Sequence, residues 1–307
     1  MSLLEKEWFI QAPWGRICVV AWGNCLDPPV LLCHGNIDSA ASFRPLISLL
    51  PKNFYYVCME LPGNGKSDRF PPGMMINTYD MAYCIVVIVR HFRWENFIYI
   101  GHSLGACIGK IHAITFPNRI SKLIELDPVT VDTVHEPGDF SRWYKRSYYE
   151  FAVNYDKYSQ PKEEGPKYKF DVAVEKLVKN RRLTKEAAEA TLARWTEPCG
   201  DGLIRFTFDQ RLKLVSHLRI PADITEQLHT RVTTPTLALL AEESIASGYY
   251  KKTNFVFDEK AFPAGNYRVR VIPGHHDVHL VRPEVAAPYI TNFLLFGLAG
   301  LDGVAKL

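Results

Sequence analysis

The sequence predicts an α/β protein with a mainly parallel central sheet, helices on both faces and an inserted helical cap. In the first 129 residues, short apolar runs typical of buried strands alternate with segments that have helical periodicity. This alternation stops between residues 130 and 230 and resumes with a strand-like run at Thr236. Strands that alternate with helices pair in parallel, and their sheet is covered on both faces.

The predicted strands are short runs of β-branched, aromatic and other apolar residues between turn-forming residues. The first two flank the sequence Ala12-Pro13-Trp14-Gly15 and predict an opening hairpin, whereas helical segments separate the others. The predicted strands cover residues 8–10, 17–22, 30–33, 55–59, 97–100, 122–126, 236–240 and 267–272.

The predicted helices divide the chain into a core and a cap. A core of residues 1–129 and 231–307 contains helices at 42–50, 78–92, 106–116 and 283–296, the last with Pro283 in its first turn. The cap, residues 130–230, contains helices at 140–153, 171–180 and 184–195 and no convincing strand. We expect it to cover the carboxyl ends of the strands, where α/β sheets bind ligands.

An aromatic stripe lies on the first predicted cap helix. Phe140, Tyr144 and Tyr148 are spaced four residues apart and therefore share one helical face. Such a stripe either walls a substrate pocket or packs the cap onto the core, and packing is the commoner outcome. We therefore expect these rings mainly to pack the cap onto the core, with a few of them also lining the pocket.

The composition excludes several classes of protein. The 307 residues include 47% hydrophobic and 22% charged residues, as in an ordinary globular enzyme, and the net charge of +3 is too small to indicate nucleic-acid binding. Seven scattered cysteines without a C-x-x-C pair predict free thiols rather than disulfides or a zinc site. The apolar run at 84–89 is too short for a membrane span, and no secretory signal, cofactor or metal site is predicted.

The last three residues, Ala305-Lys306-Leu307, are close to the S-K-L peroxisomal address. A chance tail is an equally good interpretation, so the expected location is peroxisomal or cytoplasmic. If the tripeptide binds the import receptor, its deletion abolishes peroxisomal import.

The segment Gly101-His102-Ser103-Leu104-Gly105 carries the strongest chemical signal. It is a G-x-S-x-G pattern between a predicted strand and a predicted helix, the context in which a strained turn exposes a serine hydroxyl. The flanking glycines permit the strand and the helix to approach closely. Ser103 is therefore the predicted nucleophile, and the backbone N–H of Leu104 is positioned to stabilise an oxyanion.

A serine nucleophile needs a base and a second oxyanion donor. We assign the base to His276, in the loop after the last predicted strand, and the donor to the backbone N–H of Asn36. His34, which precedes Gly35 in the same loop as Asn36, is expected to brace that loop by hydrogen bonding. A metal cluster of His275, His276 and His279 is the weaker alternative, because no second set of ligands accompanies it.

These motifs resemble the α/β-hydrolase fold superfamily over almost the whole chain. The matching segments are His34-Gly35, the stretch from Leu61 to Ser67 with sequence LPGNGKS, and the turn at Ser103. More narrowly, the cap sequence Asp209-Gln210-Arg211-Leu212 and the late His-His-x-Val-His motif are similar to the serine hydrolase-like, or kraken-like, group. The resemblance implies hydrolysis through an acyl-serine intermediate, and relatives are associated with peroxisomes.

The resemblance leaves the triad acid open. The superfamily usually places an aspartate shortly after the strand that ends here at residue 240, but this chain has Glu242-Glu243-Ser244. We favour Asp127, at the end of the preceding strand, a position that some members use. Glu243 is the alternative acid.

The leading hypothesis is a serine hydrolase that cleaves a small-molecule ester or thioester with an apolar acyl part. C–C bond hydrolysis on the same fold also uses serine and histidine and remains open, whereas epoxide and haloalkane hydrolysis need a carboxylate in place of Ser103. The alternative class is a weak or inactive ligand-binding protein on a hydrolase scaffold, suggested by the missing acid at the usual position.

Overall fold

A computed structural model describes residues 4–129, 133–134, 137–217 and 219–302 of the chain. The tripeptide 305–307 lies outside the described residues, so its import role stays a prediction. The strands are β1 Glu5–Ala12, β2 Gly15–Trp22, β3 Pro29–Cys33, β4 Tyr55–Met59, β5 Phe97–His102, β6 Ile120–Leu126, β7 Thr133–Val134, β8 Lys167–Lys169, β9 Thr196–Pro198, β10 Leu203–Phe206, β11 Ile220–Pro221, β12 Thr236–Ala241 and β13 Tyr267–Ile272. The helices are α1 Arg44–Leu49, α2 Thr78–Phe92, α3 Leu104–Thr115, α4 Pro137–Tyr144, α5 Glu150–Val153, α6 Tyr155–Ser159, α7 Phe170–Arg181, α8 Lys185–Trp195, α9 Ala222–Thr230, α10 Glu242–Ala246, α11 Val278–Val281 and α12 Pro283–Phe296.

Eight strands form the central sheet, in the order β1-β2-β4-β3-β5-β6-β12-β13. The pairs β1–β2 and β2–β4 are antiparallel, and every other neighbouring pair of this sheet is parallel. The predicted α/β class with a mainly parallel sheet is confirmed. Because β5, β6 and β12 are parallel neighbours, their carboxyl ends meet at one edge of the sheet.

Helices cover both faces of this sheet. On one face, α2 and α3 bury Ile85, Ile88 and Ile108 against the strands. On the other face, α1 and α12 bury Leu46 and Phe293. Both clusters consist mainly of buried aliphatic and aromatic side chains, whose burial is the main stabilising contribution to the core.

By length and composition alone, the stretch Pro283–Leu301 could cross a membrane. Its inner face, with Ala286, Ile290 and Phe293 almost fully buried, packs against the sheet. A core helix that covers a sheet meets the same two criteria, so this feature is weak evidence for a span.

The segment between β6 and β12 contains helices α4 to α9, with a π-helical turn at Lys145–Tyr149 between α4 and α5. It also contains a three-stranded antiparallel sheet in the order β8-β10-β9, which the sequence analysis did not predict. These strands have only three or four residues, many of them partly exposed, so they are too short for an alternation of apolar and polar residues to be recognised in the sequence.

The expected packing of the aromatic stripe onto the core was wrong. Phe140, Tyr144 and Tyr148 are 52%, 50% and 39% exposed, and the three rings stack on one another. Trp143, on the same helix, contacts a different part of the cap: its indole N–H donates a hydrogen bond to Ser216 Oγ at 3.1 Å. The face of the helix that meets the protein is therefore rotated away from the stripe.

Two buried arginines attach the cap to the core. Arg194 on α8 binds the carboxylate of Glu60, which follows β4, and its Nη1 donates to Glu7 Oε2 at 2.6 Å. Arg211 donates to the carbonyl oxygens of Phe70, Pro71 and Met74 in the loop before α2. Both arginines are less than 10% exposed, so these ionic and hydrogen-bonded contacts between the cap and the core are buried.

Candidate active site

Ser103 occupies the turn between β5 and α3 in a strained conformation, with φ 52° and ψ −117°. A Cβ on Gly105 would lie 2.1 Å from the Cys33 carbonyl oxygen, and one on Gly101 would lie 2.5 Å from Ala106 N. The two glycines are therefore required by backbone contact between β3, β5 and α3. This packing holds the Ser103 side chain at the edge of the sheet.

His276 and Asp127 complete a hydrogen-bonded chain with Ser103. His276 Nε2 lies 2.8 Å from Ser103 Oγ, and His276 Nδ1 lies 2.6 Å from Asp127 Oδ2. His276 is 173 positions from Ser103 and 149 positions from Asp127 in the sequence. The three residues nevertheless meet at the carboxyl ends of β5, β6 and β13. This is the arrangement that allows an imidazole to accept a hydroxyl proton while a carboxylate orients its ring.

Asp127 is fully buried and accepts three further hydrogen bonds. Ala241 N and the Tyr250 hydroxyl donate to its Oδ1, at 2.9 and 2.8 Å, and the Ser244 hydroxyl donates to Oδ2 at 2.5 Å. Burial alone would raise the pKa of Asp127, but its interactions with His276, Ser244 and Ala241 outweigh burial and lower it. The carboxylate therefore stays ionised beside the imidazole.

Glu243, the alternative acid, lies elsewhere in the site. Its carboxylate pairs with the exposed Arg182 at the end of α7, and its own side chain is 46% exposed. Ser244, which stands near the usual position of the aspartate, instead donates to Asp127. The structure therefore brings Asp127, rather than Glu243, against His276 Nδ1.

The loop after β3 packs directly against Ser103. A Cβ on Gly35 would lie 3.0 Å from His102 Nδ1 and 3.1 Å from the Ser103 Cβ, so a larger residue would push these side chains away from their present positions. His34 braces the loop, since its Nε2 accepts from Leu61 N at 3.0 Å and its Nδ1 lies 2.7 Å from the Gly35 carbonyl oxygen. Asn36 lines the cavity in front of Ser103, and its side chain donates to the Leu212 carbonyl.

Leu104 is the first residue of α3, and the first N–H groups of a helix have no partner within that helix. The N–H groups of Asn36 and Leu104 thus belong to the two backbone segments that flank Ser103. Ile37 directly follows Asn36 with a φ of 49°, a rare conformation for a β-branched residue. This strain marks the loop as tightly constrained.

A cavity of about 1000 Å³ opens in front of Ser103, between the core and the cap. Ser103, His276 and the loop after β3 form part of its wall. Its cap wall combines polar and charged side chains with an apolar and mostly aromatic part, which consists of Tyr168, Leu177, Trp195, Phe206 and Phe208.

The sequence analysis did not find a buried polar network behind His276. Arg181 of α7 binds Asp277, with its Nε 3.1 Å from Asp277 Oδ2, and its Nη2 lies 3.5 Å from Asp38 Oδ2. The His102 ring in turn lies 2.9 Å, through Nε2, from the His276 carbonyl oxygen. Nothing in the local sequence around Arg181 indicates this contact, because its partners lie 96 and 143 positions away.

The structure groups a different set of potential metal ligands from the predicted cluster of His275, His276 and His279. Within the described residues, Asp38, His102 and His279 place one potential ligand atom each within 4.8 Å of one another. The Arg181 guanidinium lies beside the Asp38 carboxylate, and a cation at that position disfavours a second, divalent cation. His275 and His276 face the cavity instead.

Comparison with known proteins agrees with the observed fold. The family model of the alpha/beta hydrolase fold matches residues 28–283. The chain is 29% identical to human serine hydrolase-like protein 2 over 304 residues, which cover 95% of this chain and 94% of that protein. It is 29% identical to a probable serine hydrolase of Drosophila melanogaster, over 94% of this chain and 87% of that protein.

The same fold occurs in a solved structure. A hypothetical protein from Pseudomonas aeruginosa PAO1 superposes with a TM-score of 0.80 at 24% identity, over 96% of this chain and 99% of that one. The names of the relatives indicate a serine hydrolase of the α/β type. The chain belongs to the α/β-hydrolase fold family and, within it, is similar to the serine hydrolase-like proteins.

Proposed function

We propose that the protein hydrolyses an ester or thioester with an apolar acyl part through an acyl-serine intermediate. The observation that carries the proposal is the hydrogen-bonded chain from Asp127 through His276 to Ser103, in the wall of a cavity. An apolar acyl part fits the aromatic cap wall, where its burial is favourable.

Acylation begins when His276 Nε2 takes the proton of Ser103 as Oγ attacks the substrate carbonyl carbon. The backbone N–H groups of Asn36 and Leu104 donate to the resulting oxyanion. His276 then gives its proton to the leaving oxygen or sulfur, the bond to that atom breaks, and an alcohol or thiol departs.

Deacylation repeats the steps with water. His276 removes a proton from water, the hydroxyl attacks the acyl carbon, and the proton returns to Ser103 Oγ as the acid leaves. Asp127 holds the imidazole in one orientation and stabilises its protonated form in both halves of the reaction.

The test is hydrolysis of p-nitrophenyl esters and acyl-CoAs of increasing chain length by the full chain and by Ser103→Ala. We expect turnover by the wild type and a loss of at least about 10³-fold in kcat for Ser103→Ala. The control is Ser48→Ala on α1, which removes a hydroxyl that bonds only locally, to the Pro45 carbonyl.

Labelling with a fluorophosphonate separates the remaining alternatives. A hydrolase reacts at Ser103, and the label disappears in Ser103→Ala. Absence of both labelling and turnover would contradict the proposal and favour a binding protein. Labelling without turnover of any ester or thioester would favour a different bond, such as the C–C bond of a β-diketone.

A further inference from the structure

Three lysines from separate segments of the cap line the same cavity as Ser103. They are Lys157 in α6, Lys176 in α7 and Lys213 in the 3₁₀ turn Gln210–Leu214. We call these three residues the lysine cluster. Since they come from three segments, the fold rather than one local sequence brings them together.

The lysine cluster differs from most other cations of the cavity in having no carboxylate partner among the described residues. Lys213 Nζ donates to the amide oxygen of Gln210 at 2.6 Å. The ammonium groups of Lys157 and Lys176 lie 5.3 and 4.5 Å from the ring centres of Tyr158 and Tyr168. By contrast, carboxylates pair with Lys162, Arg181 and Arg182.

The cavity wall therefore carries an excess of positive charge. Among its described lining residues, seven are lysine or arginine and four are aspartate or glutamate. Asp38, Glu243 and Asp277 are engaged by Arg181 or Arg182, which leaves the exposed Glu164 as the fourth carboxylate. The four carboxylates offset four of the seven cations, so the net formal charge of the wall equals that of the three lysines in the cluster.

The positive charges of Lys157 and Lys176 act on the ammonium group of Lys213. Partial burial, and then repulsion by Lys157 and Lys176, lower the pKa of Lys213. Holding like charges together opposes folding, and a bound anion removes this repulsion. Such an arrangement beside a nucleophile favours a substrate with its own negative charge.

We propose that the lysine cluster binds a carboxylate or phosphate group on the substrate while Ser103 attacks the ester or thioester carbonyl. This inference rests on the proposed function and narrows it to anionic esters and thioesters. Ammonium groups donate charge-assisted hydrogen bonds to such oxygens, and the aromatic wall contacts the apolar part between the two polar ends. The Gln210 side chain, which also lines the cavity, adds an amide N–H.

Substrate pairs in which only one member carries a negatively charged group test the proposal. For a carboxylate, the pair is mono-p-nitrophenyl glutarate and its methyl ester. For a phosphate, the pair is butyryl-CoA and the neutral thioester of butyrate with N-acetylcysteamine. We expect kcat/KM of the wild type to be at least about ten-fold higher for one anionic member than for its neutral partner, and sodium chloride to reduce the difference.

Charge-removing variants then locate the effect. Each of Lys157→Met, Lys176→Met and Lys213→Met is expected to lower kcat/KM for the preferred anionic substrate about three- to ten-fold, and the triple variant to abolish the preference. The neutral substrate is expected to change less than about two-fold. Lys179→Met is the matched control, because Lys179 is an exposed lysine of α7 that does not line the cavity. Lys213→Arg is expected to retain the preference.

Two results would overturn the inference: equal kcat/KM for both members of each pair, or a preference that survives in the triple variant. If neutral esters are cleaved and Ser103 is required, the proposed function stands although the lysine cluster has no role. Should no substrate turn over, calorimetric binding of CoA and of glutarate to Ser103→Ala still decides the inference. The inference would be refuted if neither CoA nor glutarate bound to Ser103→Ala. It would also be refuted if the triple substitution left the affinity for the bound ligand unchanged.

Discussion

At the scale of single residues, backbone strain is concentrated around Ser103. Ile37, Ser103 and Asp127 have φ values of 49°, 52° and 41°, in a region that non-glycine residues rarely adopt. Each such residue costs about 1–3 kcal/mol and persists only where its surroundings hold it. Here Ser103 N donates to the Leu126 carbonyl at 3.0 Å and Asp127 N donates to the Leu239 carbonyl at 2.8 Å.

Asp127→Asn is expected to lower kcat about 10³- to 10⁴-fold with a small change in KM, because an amide does not stabilise protonated His276 in the same way. Glu243→Gln is expected to change kcat less than about three-fold, since that carboxylate pairs with Arg182 at the surface. Steady-state kinetics on the preferred ester check both variants, and unfolding curves verify that each is folded. A large loss in Glu243→Gln together with a small one in Asp127→Asn would assign the acid to Glu243.

At the scale of elements, Arg181 connects the cap helix α7 to two core loops. It binds Asp277, next to His276, and Asp38, two residues after Asn36. Its guanidinium also lies 5.2 Å from the Trp195 ring in α8. Arg181 touches none of the reacting atoms in this arrangement and is therefore a positioning residue.

Arg181→Met is expected to lower kcat about ten-fold or more, because the loop that carries His276 loses its buried partner. Arg181→Lys, which keeps the charge, is expected to restore part of the rate. A loss of stability in Arg181→Met without any loss of kcat would indicate a purely structural role.

The contact between Arg194 and Glu60 gives a prediction about stability. Arg194→Met leaves the fully buried Glu60 carboxylate without its cation, which costs about 3–5 kcal/mol in the free energy of unfolding. Urea denaturation measures this change. The double variant Arg194→Met with Glu60→Gln is expected to be more stable than Arg194→Met alone, since the unpaired charge is gone. Additive effects of the two substitutions would argue against the coupling.

At the scale of the whole molecule, several buried histidines remain neutral. Burial, with a smaller effect of Arg119, lowers the pKa of His112 to about 4, and burial with Lys110 lowers the pKa of His229 to about 3. In the unfolded chain these groups titrate near pH 6.5. Between these values the unfolded state binds more protons than the folded state.

We therefore expect full stability above about pH 6.5 and a progressive loss as the pH falls from there to about 4. Each such histidine contributes a slope of about 1.4 kcal/mol per pH unit in this window. Urea unfolding at pH 7.5, 6 and 5 measures the slope, and His229→Gln is expected to reduce it. Equal unfolding free energies at pH 7.5 and pH 5 would contradict this expectation.

The order of strands and helices, the elbow at Ser103 and the loop of His276 could be predicted from the sequence because their signals are local. Apolar periodicity, turn residues and the G-x-S-x-G spacing each arise from neighbours within a few positions. The short strands β8, β9 and β10 were not predicted, because three or four residues are too few to show the two-residue periodicity of a strand.

Tertiary structure alone decided which side chains meet. Asp127 and Glu243 are both carboxylates after a strand, and only the pairing of β5, β6 and β12 brings Asp127 against His276. The contacts of Arg181 and the assembly of the lysine cluster likewise join segments that are far apart in the chain. Local sequence determines conformation and backbone exposure, whereas the partner of a charged side chain depends on how distant elements pack.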